Sequence, residues 1–376
     1  MIDYIEVRNT AFNIIGIIDT AKSVIWHSVF FGVGDFELYT QATPAAVSIL
    51  QKDNYITRPN DIEVGIIEHI EVVNNDQDGL MIIASGRFAK AILDRRIIYR
   101  LSGTANKATV LSGNVETNIR KLVSDNAIAC AFDSKRNIPQ LELGTLYNIP
   151  AIIVDENGVA TQKQVAPENL LTYTDTMLKE YGLSAIVLLD DERQKLQYTI
   201  VRGIDRSVDN TSGNMPIIFS QEFDNLTASV YLFDNSASKN MALIGGEENK
   251  ETIRYFTTVV GKETGMQRRE LWVNASSIKK TYKDDNDEEQ TYTDSQYNAM
   301  LKAEGKQGIA QLAPVESFTG TIDIVNGNWE YNKDFSLGDI VTVQDNTIGK
   351  YANVRITETT EVQDEDGYSI EAIYQS

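Results

Sequence analysis

Cysteine, histidine and positive charge are all scarce in this chain of 376 residues. The single cysteine, Cys130, excludes an intrachain disulfide framework and any multi-cysteine zinc or iron–sulfur site. Its setting, Ala127-Ile128-Ala129-Cys130-Ala131-Phe132, suits a small buried hydrophobe rather than a nucleophile. Lys and Arg total 34 against 54 Asp and Glu, a formal net charge of −20, which argues against a protein that holds nucleic acid by neutralising phosphates. No stretch approaches the roughly 20 uninterrupted apolar residues that cross a bilayer, so no membrane-spanning segment is expected. Met1-Ile2-Asp3-Tyr4-Ile5-Glu6-Val7 has neither a basic nor an apolar leader region. Export through a signal peptide is therefore not indicated, and maturation in the cytoplasm of the producing cell is expected.

The usual signatures of enzymes are also missing. There is no His-Glu-x-x-His zinc pair, no Gly-x-Ser-x-Gly elbow and no Gly-x-x-x-x-Gly-Lys-Ser/Thr phosphate loop. The two histidines, His27 and His69, lie on separate β segments and read as ordinary hydrogen-bonded strand residues. Asp35 and Glu37 share a strand face, which leaves a glycosidase-like carboxylate pair as a formal alternative. Asp284, Asp285, Asp287, Glu288 and Glu289 offer hard oxygen ligands for calcium, but without the glycine and the terminal Glu of a calcium-binding hand. A solvated hairpin tip is the favoured reading. Asp364-Glu365-Asp366-Gly367 reads as a turn between two strands. No catalytic, cofactor or metal residue is assigned, and no cofactor is expected.

What is present is mostly β. The length predicts two to four compact units. Phe12 to Asp19, Val24 to Phe31 and Phe36 to Thr40 are β-branched or aromatic runs, and Ile62 to Val73 with Leu80 to Ala84 flank a polar turn ending in Gly79. Thr43-Pro44 is an N-cap followed by Pro at the first helical position. From Gly86 the period moves towards 3.6, predicting short helices around Phe88, Ile92 and Leu93, around Val115 to Asn126, and from Pro167 to a stop at Gly182. A hairpin follows across Asp190-Asp191-Glu192-Arg193. Strands are expected again at Ile217 to Phe219, Leu226 to Phe233, Ile253 to Val260 and from Phe318 onward. Thr293-Asp294-Ser295-Gln296 is a capping box that opens a helix with Tyr297, Met300 and Leu301 on its apolar side and Gly305 as its stop.

The fold class expected is α+β, predominantly β: a first small β-barrel domain over 1–100, an α+β middle domain over 101–205, and a second β-barrel domain over 206–376 with a helical insertion around 275–312. Closely spaced strands with one short helix are what suggest a small barrel.

Several segments carry a resemblance in their order along the chain. They are Gly16-Ile17-Ile18-Asp19, Gly34-Asp35-Phe36-Glu37-Leu38, Gly65-Ile66-Ile67-Glu68-His69-Ile70, Ser85-Gly86-Arg87, Arg269-Glu270-Leu271-Trp272-Val273 and Leu337-Gly338-Asp339. The chain resembles the baseplate hub, or tail-associated, proteins of Gram-positive siphophages and their prophages. That resemblance implies two related tail-tube-like barrels per subunit in a homotrimer. Its pseudo-hexameric ring would join the distal tail protein to the tail tip and other receptor-binding proteins. Tape-measure protein and then DNA would pass through the lumen without sequence-specific binding. It also implies a place in the virion tail and no catalytic motif. Many relatives continue into a hydrolase or receptor-binding extension whereas this chain stops at Ser376, so the expectation is that lytic or adhesive activity belongs to another polypeptide. Two other classes compete: a tail-associated cell-wall polysaccharide hydrolase, and a host-surface binding module using Trp272, Trp329 or Tyr331 to stack on sugars. The bland alternative for those three is a buried strand aromatic.

Overall fold

The computed structural model describes residues 4–59, 61–99, 109–155, 158–223, 225–247, 255–259, 263–283, 288–322, 329–347 and 349–375. The chain is predominantly β with few helices. By backbone contacts it divides into two compact units, Met1–Val230 with Phe318–Ser376, and Tyr231–Ser317.

The opening segments are β1 (Ile5–Arg8), β2 (Ile14–Ile18), β3 (Ser23–Val29), β4 (Asp35–Gln41), α1 (Pro44–Ile49), β5 (Tyr55–Thr57), β6 (Gly65–Ile66), β7 (His69–Asn75) and β8 (Gly79–Arg87). Strict alternation puts Val24, Trp26, Phe36 and Leu38 inside β3 and β4. There they pack with Ile56, Ile82 and Phe88, and the Trp26 ring centroid lies 4.8 Å from that of Phe88. Thr43 caps α1 as its sequence predicts, its Oγ1 accepting the Ala46 N–H at 3.1 Å. Gly79 turns the β7–β8 hairpin at φ +76. The run Ile62 to Val73, expected as one strand, is two: β6 pairs with β5, and β7 pairs with β8. The break lets Ile66 cross against Gly86, where a Cβ would lie 1.9 Å from the Ile66 carbonyl oxygen.

The middle segments are β9 (Thr109–Ser112), α2 (Val115–Val123), β10 (Leu141–Leu143), β11 (Gln162–Val165), α3 (Leu170–Glu180), β12 (Ser184–Asp190) and β13 (Lys195–Val201). The first expected helix is a 3-10 helix, Ala89–Arg95, in which five consecutive residues are buried. α3 starts later than Pro167 suggests, because Asn169 is its cap, and it stops at Gly182 with φ +65. α2 and α3 share a core with β10, β12 and β13. Glu116 of α2 is wholly buried and accepts the N–H groups of Tyr147 and Ile149, each at 2.8 Å.

The remaining elements are β14 (Ile218–Ser220), β15 (Leu226–Asp234), β16 (Met241–Gly245), β17 (Tyr255–Val259), β18 (Glu270–Asn274), β19 (Thr281–Lys283), β20 (Glu289–Thr291), α4 (Asp294–Ala310), β21 (Val315–Ile322), β22 (Ile340–Asp345), β23 (Lys350–Asp364) and β24 (Gly367–Gln375). In the smaller unit β17, β16 and β18 form one sheet. The capping box is present at Thr293 and Gln296. Gly305 does not stop α4, which runs on to Ala310. Instead Gly305 and Gly308 let the helix lie close on the sheet: a Cβ on Gly305 would lie 2.7 Å from Ile244 Cδ1, and one on Gly308 would lie 3.0 Å from Leu271 Cδ2.

In the larger unit, strands from both ends of the chain share a single ten-stranded sheet, ordered β15-β21-β24-β23-β3-β4-β8-β7, with β22 on β23 and β14 on β22. β23 joins the two sets, pairing with β24, with β22, and antiparallel with β3 from Glu358↔Val29 to Gln363↔Val24. No strand order among the described residues closes into a barrel.

Candidate functional site

The residues that hold the two ends of the chain together are the best-built polar features of the molecule. Gly338, at φ +92, precedes β22, and a Cβ there would fall 2.2 Å from the Phe30 ring. Asp339 is 3% exposed and its carboxylate is fully used: Oδ1 accepts the Ile204 N–H at 2.7 Å, and Oδ2 accepts Arg206 Nε at 3.0 Å and the Ser336 N–H at 3.1 Å. Arg355 donates to the Gly338 carbonyl at 2.5 Å and lies 5.4 Å from the Phe30 ring centre. Burial, with Arg202 adding to it, pulls the Arg355 guanidinium below its ordinary range. The Gly-Asp turn expected only to start a strand therefore gathers the end of β3, the exit of the middle segments and β22.

A second junction lies under Trp26. Arg58 stacks 4.9 Å from that ring, donates Nε to Asp61 at 2.7 Å and Nη1 to Glu361 of β23 at 2.9 Å, and Tyr368 donates to the same Glu361. All three charged side chains are 7% exposed or less. Nearby Glu63 is pushed up to about 7 by burial, with Asp61 adding to the shift and Lys90 and Arg58 opposing it. A cavity of about 370 Å³ opens beside this group, where Arg8 pairs with Glu6 at 2.7 Å and with Asp191 at 2.5 Å. Its two arginines are outnumbered by four carboxylates, so it offers no unpaired cation to an anionic ligand.

The residues weighed for chemistry do not assemble into a catalytic group. His27 sits between Asp35 of β4, 3.1 Å from Nδ1, and Glu358 of β23, 3.3 Å from Nε2. Both ring nitrogens thus face carboxylates, and the imidazole pins three strands rather than relaying a proton to a third group. Glu37 is exposed on the same face as Asp35. His69 is exposed at the start of β7, 3.9 Å from Glu71. Cys130 is buried, its sulfur 3.8 Å from Arg136 Nη1. Asp284, Asp285 and Asp287 lie outside the described residues, and among those described no cluster of His, Cys, Asp and Glu is arranged to hold a metal. Asp364 accepts the Asp366 N–H at 2.9 Å in the β23–β24 turn, where Gly367 takes φ +119. Trp272 corrects one expectation: it is 54% exposed rather than buried, its ring lying against Gly245. Tyr331 is half-buried and bonds Thr359 at 3.0 Å, and Trp329 is half-buried.

Strands from both ends of the chain thus share one sheet, held by buried junctions at Asp339 and Glu361. The model of the siphovirus ReqiPepy6 Gp37-like protein family matches residues 4–374. The chain belongs to that family. No curated protein matches it by sequence. Solved structures share the fold of this family member along nearly its whole length. The prophage MuSo2 43 kDa tail protein from Shewanella oneidensis has a TM-score of 0.59 at 13% identity, covering 99% of this chain and 98% of that one. The tail protein from Neisseria meningitidis MC58 has a TM-score of 0.57 at 14% identity, covering 99% and 96%. Prophage tail protein gp18 from Listeria monocytogenes EGD-e has a TM-score of 0.51 at 14% identity, covering 98% and 94%. The family member thus has the fold of phage tail proteins, which sequence identity this low conveys only weakly.

Proposed function

We propose that the chain is a structural subunit of a siphophage or prophage tail, serving as a baseplate hub at the tail tip. The observation that carries this reading is the ten-stranded sheet shared by β3, β4, β7 and β8 with β21 to β24, in a family member whose fold is that of tail proteins over 99% of its length. In this reading residues 1–100 and 206–376 are two related, tail-tube-like β-barrel modules, fused side by side through β23 and β3, and 101–205 is an α+β middle domain. Three subunits would present six such modules and form a ring with cyclic, heterologous contacts. The ring would meet the distal tail protein on one side and tail-tip or receptor-binding proteins on the other, and its lumen would pass tape-measure protein and then DNA. The net charge of −20 suits a channel that does not retain a polyanion. The role is not enzymatic.

The test is molar mass by light scattering after size exclusion, across a concentration series. A discrete trimer with a central channel on imaging is the expected result. A monomer at every concentration, with no binding to the cognate distal tail protein, overturns the hub reading.

A further inference from the structure

One end of the ten-stranded sheet is acidic. Two hairpin tips lie there. The β7–β8 turn contributes Asp76 and Asp78, and the β23–β24 turn contributes Asp364, Glu365 and Asp366. Lys22, bridging Asp78 and Glu365, is the cation that the ion pairs bring to this edge. Glu365 keeps 80% of its side chain exposed. At the other end of β8, roughly 30 Å away for a nine-residue strand, Arg87 leads into the 3-10 helix and pairs with Glu68 and Asp94, while Arg95 lies 3.8 Å from Asp53 and 3.9 Å from Glu68, so these two arginines are balanced by carboxylates.

Behind Arg95 opens a second cavity, of about 350 Å³, lined by Arg95, Arg96, Tyr99, Phe132, Lys135 and Arg136. Unlike the first cavity, its lining holds cations and no carboxylate. Arg96 donates to the carbonyls of Arg136 at 2.7 Å and Arg95 at 2.9 Å, and Arg136 donates to the Ile97 carbonyl. Backbone oxygens therefore fix the guanidinium groups without neutralising them. Asp133, the nearest carboxylate on that loop, accepts the Lys135 N–H instead. Among the described residues, Arg96, Lys135 and Arg136 have no carboxylate within ion-pair distance. Burial and the neighbouring Arg136 and Arg95 charges hold the Arg96 guanidinium below its ordinary range, the sign of cations crowded without an anion. Tyr99 and Phe132, 4.4 Å apart between ring centres and both more than 40% exposed, complete a wall of the kind that anchors protein contacts.

We propose that this basic, aromatic-walled pocket receives the acidic β23–β24 hairpin tip, Asp364–Asp366, of a second copy of this chain. The inference rests on the self-assembling reading above. Charge complementarity selects the occupant: three contiguous carboxylates on a projecting two-residue turn match three unpaired cations. A long polyanion is disfavoured because the rest of the chain, at −20, repels it beyond the pocket, whereas a short acidic turn brings its charge only to the cations. Tip and pocket occupy opposite ends of one sheet, so the contact is head-to-tail, which a cyclic ring requires and a two-fold dimer does not.

The experiment is a charge-swap series on the full chain, with mass read by light scattering at about 50, 150 and 500 mM salt. Lys135→Glu alone disturbs no hydrogen bond seen in the fold and controls for misfolding; Arg96→Glu with Arg136→Glu reverses the pocket; Asp364→Lys with Asp366→Lys reverses the tip. The expected result is that each reversal weakens self-association at least tenfold, that salt weakens the wild type, and that pocket and tip reversals combined in one chain restore it. If the wild type assembles and the reversals leave its mass unchanged, this contact is wrong while the ring reading stands. If the wild type is monomeric throughout, this contact fails, and binding to the cognate distal tail protein then decides the hub reading. Saturable binding of a ten-nucleotide oligo-dT that is lost in Lys135→Glu would assign the pocket to a polyanion and also overturn the inference.

Discussion

Gly203 and Gly338 meet backbone to backbone: a Cβ placed on Gly203 would lie 1.7 Å from the Gly338 carbonyl oxygen. Neither position accepts a side chain, and the loop that leaves the middle segments is locked onto the entry of β22. Gly203→Ala is expected to lose about 3 kcal/mol or more in urea unfolding, at the upper end of overpacking effects. Gly213→Ala, at φ +75 with nothing within 4 Å of its Cβ, isolates the purely conformational effect and should lose about 1 kcal/mol. Equal losses at the two sites would refute the close-approach account.

The Arg58–Glu361 pair ties the first hundred residues to β23. Removing the shared cation, as in Arg58→Met, strands the buried carboxylates of Asp61 and Glu361 and should destabilise by about 3–5 kcal/mol. Arg58→Met combined with Asp61→Asn and Glu361→Leu should recover much of that loss, because no charge of the group is then left unmatched. Thermal melts of the wild type and the two variants decide the matter, and a triple variant no better than the single one would contradict it.

Glu63 introduces a pH dependence of predictable sign. Its carboxyl is raised to about 7 in the folded state from an ordinary value near 4.5, so the folded form binds the proton more tightly than the unfolded chain. Stability from this group is full below pH 4.5 and is lost as pH rises through about 7. The loss should be about 1–2 kcal/mol, less than the whole shift implies because part of the side chain meets solvent. Glu63→Gln should flatten the stability profile between pH 5 and about 8. A slope identical to wild type there would assign the titration elsewhere.

Gly305 is a packing residue of α4. Replacement by Leu improves helix propensity by about 1 kcal/mol but drives a side chain into Ile244 and Ala242, and the clash should win, for a net loss of about 1–2 kcal/mol in chemical denaturation. A more stable variant would mean that the helix stands off the sheet.

Local signals were legible where the chemistry is local. Thr43-Pro44, the Thr293–Gln296 capping box and Gly79 each did what their short-range physics dictates. Gly305 was misread because a glycine that ends a helix and one that admits a neighbouring sheet look alike until Ile244 is seen beside it. β16 gave too short an apolar run to stand out, and so did Leu271-Trp272-Val273 of β18, which pairs with it in parallel. Arg58 with Glu361 and Gly203 with Gly338 were invisible because their partners lie far along the chain. The basic pocket had a faint signature in Arg95-Arg96 and Lys135-Arg136, two adjacent pairs in an acidic sequence, but only the fold sets them face to face.

β23 gives the molecule a clock. β3 is made early, yet its free edge stays open until residues 358–363 have been synthesised to cover it. Every earlier stretch of nascent chain must hold an unpaired strand of Val24, Trp26 and Ser28 beside β4 without sticking to another copy. Long-range pairing of this kind is slow to form. A partly made chain therefore has no finished sheet until its last strands have emerged.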